Sequence, residues 1–208
     1  YPLDEEPRAG YAWTAFVKKL DGRRLLYTVG QYGGGFRFYT FDENNGGQIA
    51  RPAGKVVSDD ETWAWHMDEN GDIWHGDYHK NRSIRRYRFK GWQKLDAPEG
   101  VDDLYGPVYD TEHPDEWPWP EDFALVRRAI YVAETDTLFL TGYLKTDEMD
   151  SWGVCGKTLR RYDGWTSGSP KIAMTVPLPV NPTGEEGRPL SPQGFAHAGD
   201  YLFCGMVK

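Results

Sequence analysis

Cysteine is nearly absent. The 208-residue chain holds two, Cys155 and Cys204. That count excludes a disulfide framework and a thiolate metal cluster. Cys155 sits in a polar stretch, and Cys204 sits in a strand-like run where a small buried hydrophobe is expected. Whether the two pair is left open. No apolar run approaches the roughly 20 residues of a membrane-spanning helix. No segment keeps a helical period, and the nearest candidate, Pro120–Arg128, is short. Gly33-Gly34-Gly35 lacks the Lys and helix of a phosphate loop. No Gly-x-Ser-x-Gly elbow is present, nor a Cys-x-x-Cys-His haem site. No cofactor is therefore expected. Basic residues are outnumbered, 24 Lys and Arg against 32 Asp and Glu, for a net charge of −8. That balance argues against nucleic acid and against an anionic membrane surface. The N-terminal Tyr1-Pro2-Leu3-Asp4 lacks a basic leader region, and a start at Tyr rather than Met predicts a processed end.

What the chain does have is a recurring pattern. Its cleanest copy is Trp63–Lys90, where two apolar runs flank a tight turn and a third run ends in Arg-Tyr. The same order recurs at Trp13–Phe41 and Ala129–Tyr162, and a fourth copy begins at Phe195. The first hairpins turn at Asp21-Gly22, Asn70-Gly71, Glu134–Asp136 and Gly199-Asp200. Asp-Gly and Asn-Gly supply the positive φ that two-residue hairpin turns need. The flanks are aromatic and β-branched, as half-buried strands prefer. The third runs, FRFYTFD, IRRYRFK and LRRYDGW, place Tyr39, Tyr87 and Tyr162 alike. Tyr39 and Tyr87 are 48 residues apart, near the period of propeller blades. Tyr87 and Tyr162 are 75 apart, that period plus insertions. GQIARPA, QKLDAPE and PKIAMTVPLP follow as outer strands, where proline harms no ladder. Arg85-Arg86 and Arg160-Arg161 recur at one strand position and read as structural.

The expected fold is all-β: a β-propeller of four-stranded antiparallel blades. One region, 1–208, carries blades at about 11–57, 61–100, 123–180 and 193–208, the last incomplete. Three and a half blades predict membership of a larger propeller, with a partner or further blades covering the open sheet edge.

The predicted loops between second and third strands, and between blades, fall on one face and contain the long insertions Asp102–Asp122, Tyr143–Gly156 and Asn181–Pro192. Long loops on a rigid scaffold commonly carry function. Their aromatic and acidic content nominates Asp77, Tyr78, His79, Trp117, Trp119, Tyr143, Asp147, Asp150 and Trp152 as ligand-binding residues. Rings stack on apolar sugar faces and carboxylates accept hydroxyl hydrogen bonds. Asp147 and Asp150 with Asp77 could form a glycosidase pair, but no spacing selects them. Asp68, Asn70 and Asp72 alternate as in a Ca²⁺ loop, yet position 12 is His79 rather than a bidentate Glu. His66, His75 and His79 leave metal ligation open, with His66 and His75 on adjacent strands. No metal site or catalytic residue is assigned.

MDENGDIWHG followed by SIRRYRF resembles the NHL and two-component-regulator propeller repeats of bacterial extracytoplasmic proteins. Their core reads roughly Asp-x-x-Gly-x-Ile/Leu-Trp, matched here by Asp68, Gly71, Ile73 and Trp74. The other copies depart from it. The resemblance implies fold and an extracytoplasmic location (periplasmic, cell-surface or secreted). It carries no catalytic residue onto this chain. The expectation is a non-enzymatic exported module for binding or assembly, meeting a protein partner or glycan through its long-loop face. The alternatives are a carbohydrate-active enzyme or its accessory domain, and a partner-docking subunit of a redox or sensor complex.

Overall fold

A computed structural model describes residues 12–30, 35–41, 50–56, 62–77, 82–96, 104–147, 157–178, 191–198 and 201–207. Among them the fold is all-β, built largely of four-stranded antiparallel sheets. The first sheet runs in order through β1 (Ala12–Leu20), β2 (Arg23–Gly30), β3 (Phe36–Phe41) and β4 (Ala50–Val56). The second carries β5 (Thr62–Met67), β6 (Ile73–Asp77) and β7 (Ser83–Tyr87). The chain then forms a separate hairpin of β8 (Phe89–Lys94) and β9 (Tyr105–Tyr109), and returns as β10 (Asp115–Pro118) to sit beside β7. The third sheet runs through β11 (Phe123–Val132), β12 (Thr137–Leu144), β13 (Thr158–Asp163) and β14 (Lys171–Pro177), and β15 (Ser191–Ala198) pairs with β16 (Tyr201–Val207). The chain divides into two compact units, Tyr1–His79 with Arg85–Glu116, and Lys80–Ile84 with Trp117–Lys208.

The Asp21-Gly22 turn is as the sequence predicts, whereas the turn between β5 and β6 is longer than the two residues expected and Asn70 does not adopt positive φ. Asp21 and Gly22 both adopt positive φ, 48° and 80°, as a two-residue turn between right-twisted strands requires. Gly71 and Asp136 adopt positive φ at the next two hairpins.

The second sheet departs from expectation. Gln93–Glu99 is predicted as its outer strand, but β10 holds that edge, while Gln93 and Lys94 belong to β8. Two forces account for the exchange. Charge draws β10 in: Arg86 and Arg88 both bind the Asp115 carboxylate, and Arg85 pairs with Glu116. Apolar burial draws the β8–β9 hairpin away, because Phe89, Trp92, Leu95 and Tyr109 join the core of the first unit. The stretch 102–122, read as one long loop, thus contains β9 and β10. Pro120–Arg128, the nearest helical candidate, enters β11 at Phe123.

Each sheet has two faces, set by alternation from the hairpin turn. One carries the first and third residues after the turn, as Arg23 and Leu25 do in β2 and as Asp72 and Trp74 do when counted from Asn70-Gly71. We call it the trailing face, and the other the leading face. In the first unit, Leu25, Tyr27 and Phe38 on the trailing face of the first sheet form one core with Met67, Ile73 and Tyr87 on the leading face of the second. In the second unit, Phe139 on the trailing face of β12 lies 6.4 Å, ring to ring, from His197 of β15. His197 pairs with Leu202, so it belongs to the leading face of its own hairpin. Tyr39, Tyr87 and Tyr162 all occupy leading faces, by pairing with Leu26 and Leu138 and by contact with His75. The β3–β4 and β13–β14 ladders also slip at the same place, just before Tyr39 and Tyr162. The first and third sheets are thus alike in the register of their last two strands.

Candidate functional site

The motif that resembles propeller repeats does structural work. Asp68 begins the turn, and its Oδ1 accepts hydrogen bonds from the amides of Asn70 and Asp72, both at 3.0 Å. Its Oδ2 accepts the Trp74 indole N–H at 2.8 Å. Gly71 passes through φ 86° against the Leu20 side chain, and its carbonyl accepts the Tyr109 hydroxyl at 3.1 Å. Lys18 Nζ donates to the Asp68 carbonyl. The whole turn is consumed in anchoring itself. Asp68 is 0% exposed, and burial, opposed by the Trp74 hydrogen bond, pushes its carboxyl up to about 6.

His66 and His75 do not converge. His66 pairs with Trp74, and His75 with Ala64, across a bulge that puts the two histidines on opposite faces. His75 stacks on Tyr87 with ring centroids 5.0 Å apart, its Nε2 3.0 Å from the Tyr87 hydroxyl. Among the described residues no group of three His, Cys, Asp or Glu could hold a metal ion.

The second unit offers a better candidate. Leu144, Thr158 and Pro177 mark one end of the β11–β14 sheet, because Gly142 and Pro177 both pair with Thr158. The two long connections, 145–157 and 178–190, leave from this end. Backbone hydrogen bonds pin their roots: Lys145 donates to the Asp122 carbonyl, Lys157 to Gly142, and Leu178 to Lys157, each at 2.8 Å. Asp147 Oδ2 accepts from the Leu144 amide at 2.7 Å and from Thr158 Oγ1 at 3.3 Å. Beside it, Arg160 pairs through Nη1 with the exposed Asp122, donates from Nε to Thr175 Oγ1 at 3.2 Å, and lies over Phe123. Burial opposes the charge on Arg160, but its bonds to Tyr162 and Asp122 prevail and raise its pKa. The result is a hydrogen-bonded, polar rim from which the two long connections start.

The structure distributes the nominated residues unevenly. Asp147 belongs to this rim. Tyr143, the next-to-last residue of β12, is 0% exposed and is buried rather than offering a ring to solvent. Trp119 is buried too, with Arg82 over its ring and its amide bonded to the Arg82 carbonyl at 2.8 Å. Trp117 lies on β10, half-buried, 6.4 Å from the Trp165 ring. Trp165 bonds to the Asp136 carbonyl at the opposite end of the sheet. The seven steps of β12 put that end about 24 Å from the rim. Trp117 and Asp147 therefore do not share one surface. Asp77 closes β6, and its side chain lies outside the described residues, as do Tyr78, His79, Asp150 and Trp152.

Asp122 and Arg160 are rim residues that sequence reasoning passes over. The recurrence of Arg-Arg in the third strands was the available signal. Arg85 meets Glu116 and Arg160, at the matching position two residues before the Tyr, meets Asp122, so β7 and β13 each send an Arg to an acid on another segment. No helix among the described residues is long and apolar enough to cross a membrane. No family model, curated protein or solved structure matches the chain.

Proposed function

We propose that this chain is a region of β-propeller blades that works as a non-enzymatic binding or assembly module outside the cytoplasm. It recognises a glycan or a protein partner through the long connections at the Asp122–Asp147 rim. The observation that carries the reading is that both long connections of the second unit root on one pinned end of a sheet. Rigid scaffolds with long segments at one end are the usual architecture of recognition. The stacking of a trailing face on a leading face within each unit supports the propeller part of the reading. The Asp68-to-Trp74 motif supports the extracytoplasmic part by resemblance.

The test replaces residues 148–156 with a short Gly-Ser turn and compares this variant with the full chain on a glycan array. Glycan signals lost in the variant, with an unchanged melting temperature, support recognition through this segment. Signals equal in both proteins refute it. Release of sugar from a panel of aryl glycosides by the full chain would refute a non-enzymatic role.

A further inference from the structure

The turn between β5 and β6 contains a reactive pair. Asn70 is exposed, and Gly71 follows it. In such a pair the glycine backbone nitrogen can attack the asparagine side-chain carbonyl, because no Cβ stands in its way. The nitrogen gives up its proton, an N–Cγ bond forms, and the side-chain nitrogen leaves as ammonia. The product is a cyclic imide. Water then opens the ring at either carbonyl. Opening at Cγ gives aspartate. Opening at the backbone carbonyl gives isoaspartate, whose main chain runs through the side-chain methylene. In sum, asparagine and water become an aspartyl residue and ammonia.

The attack needs a Gly71 nitrogen that can lose its proton and swing toward Asn70 Cγ. The folded turn withholds both. The Gly71 N–H donates to the Asp68 carbonyl at 3.1 Å. The Asn70 and Asp72 amides both donate to Asp68 Oδ1 at 3.0 Å. The Gly71 carbonyl accepts the buried Tyr109 hydroxyl at 3.1 Å. The peptide units on both sides of Gly71 are therefore tied down, and Gly71 itself is buried against Leu20. The side chain under attack lies open to water, while the attacking nitrogen is held.

We propose that Asn70-Gly71 is a latent self-modification site, kept as the amide by the closed turn and converted when the turn opens. Conversion places a further carboxylate between Asp68 and Asp72, on a chain that already carries a net charge of −8. Isoaspartate also lengthens the main chain between Asp68 and Gly71 by one atom, so the bond that closes the turn cannot re-form as before. Ammonia is lost, so the change runs one way. Residue 70 thereby records past opening of the first unit.

The test incubates the full chain in mildly alkaline buffer, with and without urea. Peptide mass spectrometry follows residue 70 through the mass gain of an amide becoming a carboxylate. Conversion in the folded chain should be slower by about tenfold or more, the factor for a local opening that costs about 1.4 kcal/mol. Tyr109→Phe deletes only the hydroxyl held on the Gly71 carbonyl. It should speed the folded reaction about fivefold, the equivalent of one hydrogen bond, with unchanged circular dichroism. Asp68→Ala should bring the rate close to that in urea. A wild-type chain that converts equally fast folded and unfolded overturns the proposal. So does a natively folded Tyr109→Phe variant that converts no faster than wild type, and that outcome stands even where Asp68→Ala fails to fold.

Discussion

Two aspartates close two hairpin turns in this molecule, and they pay for it differently. Asp68 in the first unit accepts three hydrogen bonds, from the amides of Asn70 and Asp72 and the indole of Trp74. Asp136 in the second accepts from the amide and hydroxyl of Thr166, the hydroxyl of Tyr131 and the amide of Ser167. Both carboxylates are bonded to several donors, yet the carboxyls move in opposite directions. At Asp68 burial wins, and the group rises to about 6. At Asp136 burial is the largest single influence, but the bonds from Thr166 and Tyr131 together outweigh it, and the group falls below its usual range. Hydrogen bonds to a carboxylate favour its charge, and loss of water opposes it. The degree of burial decides which effect governs a turn of the same design.

The largest expected effect comes from deleting the buried carboxylate. Asp68→Ala strands the buried Trp74 indole N–H and removes the acceptor of two part-buried turn amides. Each orphaned buried donor costs about 1–3 kcal/mol. A total loss of roughly 3–4 kcal/mol is expected, near the upper end for single substitutions. Asp136→Ala leaves its donors closer to solvent and should cost about 1–2 kcal/mol. Urea unfolding of both variants at neutral pH measures the pair. Equal losses would break the comparison, because burial would then have no bearing on what the carboxylate is worth.

The pH dependence sharpens the same contrast through its sign. A carboxyl raised in the folded state binds its proton more tightly there than in the unfolded chain. Its contribution is fully present below pH 3.8 and is lost as pH rises through about 6. The change is on the order of 2–3 kcal/mol, by the free-energy equivalent of such a difference in proton affinity. Asp136 has the opposite sign: its contribution is present above pH 3.8 and is lost as pH falls through its lowered value. The check is urea unfolding from pH 3 to 7, with each wild-type curve set against its Asn variant. The advantage of wild type over Asp68→Asn should shrink as pH rises from 4 to 7. The advantage over Asp136→Asn should shrink only toward the acid end. Parallel pH profiles for the two variants would show that burial does not separate the two sites.

Much of this was legible in the residues. Asp21-Gly22 and Asn70-Gly71 announce hairpins because glycine adopts positive φ at low cost, as Gly22 and Gly71 do. The recurrent third-strand Tyr was legible as well: Tyr39 and Tyr162 each pair with a leucine of the preceding strand, and Tyr87 stacks on His75. The edge of the second sheet was not legible. QKLDAPE looks like an outer strand and HPDEWPWPED looks like a loop, because proline and acidic residues disfavour strands in general. The outcome turned on Asp115 meeting Arg86 and Arg88, a long-range pairing that no local pattern records. The site shows the same division. Asp147 could be nominated from its loop, but burial of Tyr143 and Trp119 depends on what the neighbouring strands bring against them. The Asp122–Arg160 pair joins residues 38 positions apart and was visible only as a repeated Arg.

The smallest effects lie in the glycines of these turns, and they isolate crowding from backbone conformation. Gly22 and Gly71 adopt nearly the same φ, 80° and 86°. An added methyl at Gly22 would meet nothing within 4 Å, whereas one at Gly71 would come within 2.5 Å of Leu20 Cδ2. Both Ala variants carry the penalty of a left-handed residue, about 1 kcal/mol. Only Gly71→Ala adds displacement of a buried Leu beside the Asp68 turn, which overpacking data place at about 1–3 kcal/mol more. Gly22→Ala should therefore cost about 1 kcal/mol, and Gly71→Ala clearly more. A second substitution, Leu20→Ala, supplies the control. In that background the extra cost of Gly71→Ala should vanish, leaving the two glycines alike. An extra cost that survives removal of the Leu20 side chain would mean that the buried turn is stiff in its backbone. Packing around Asp68 would then not explain the difference.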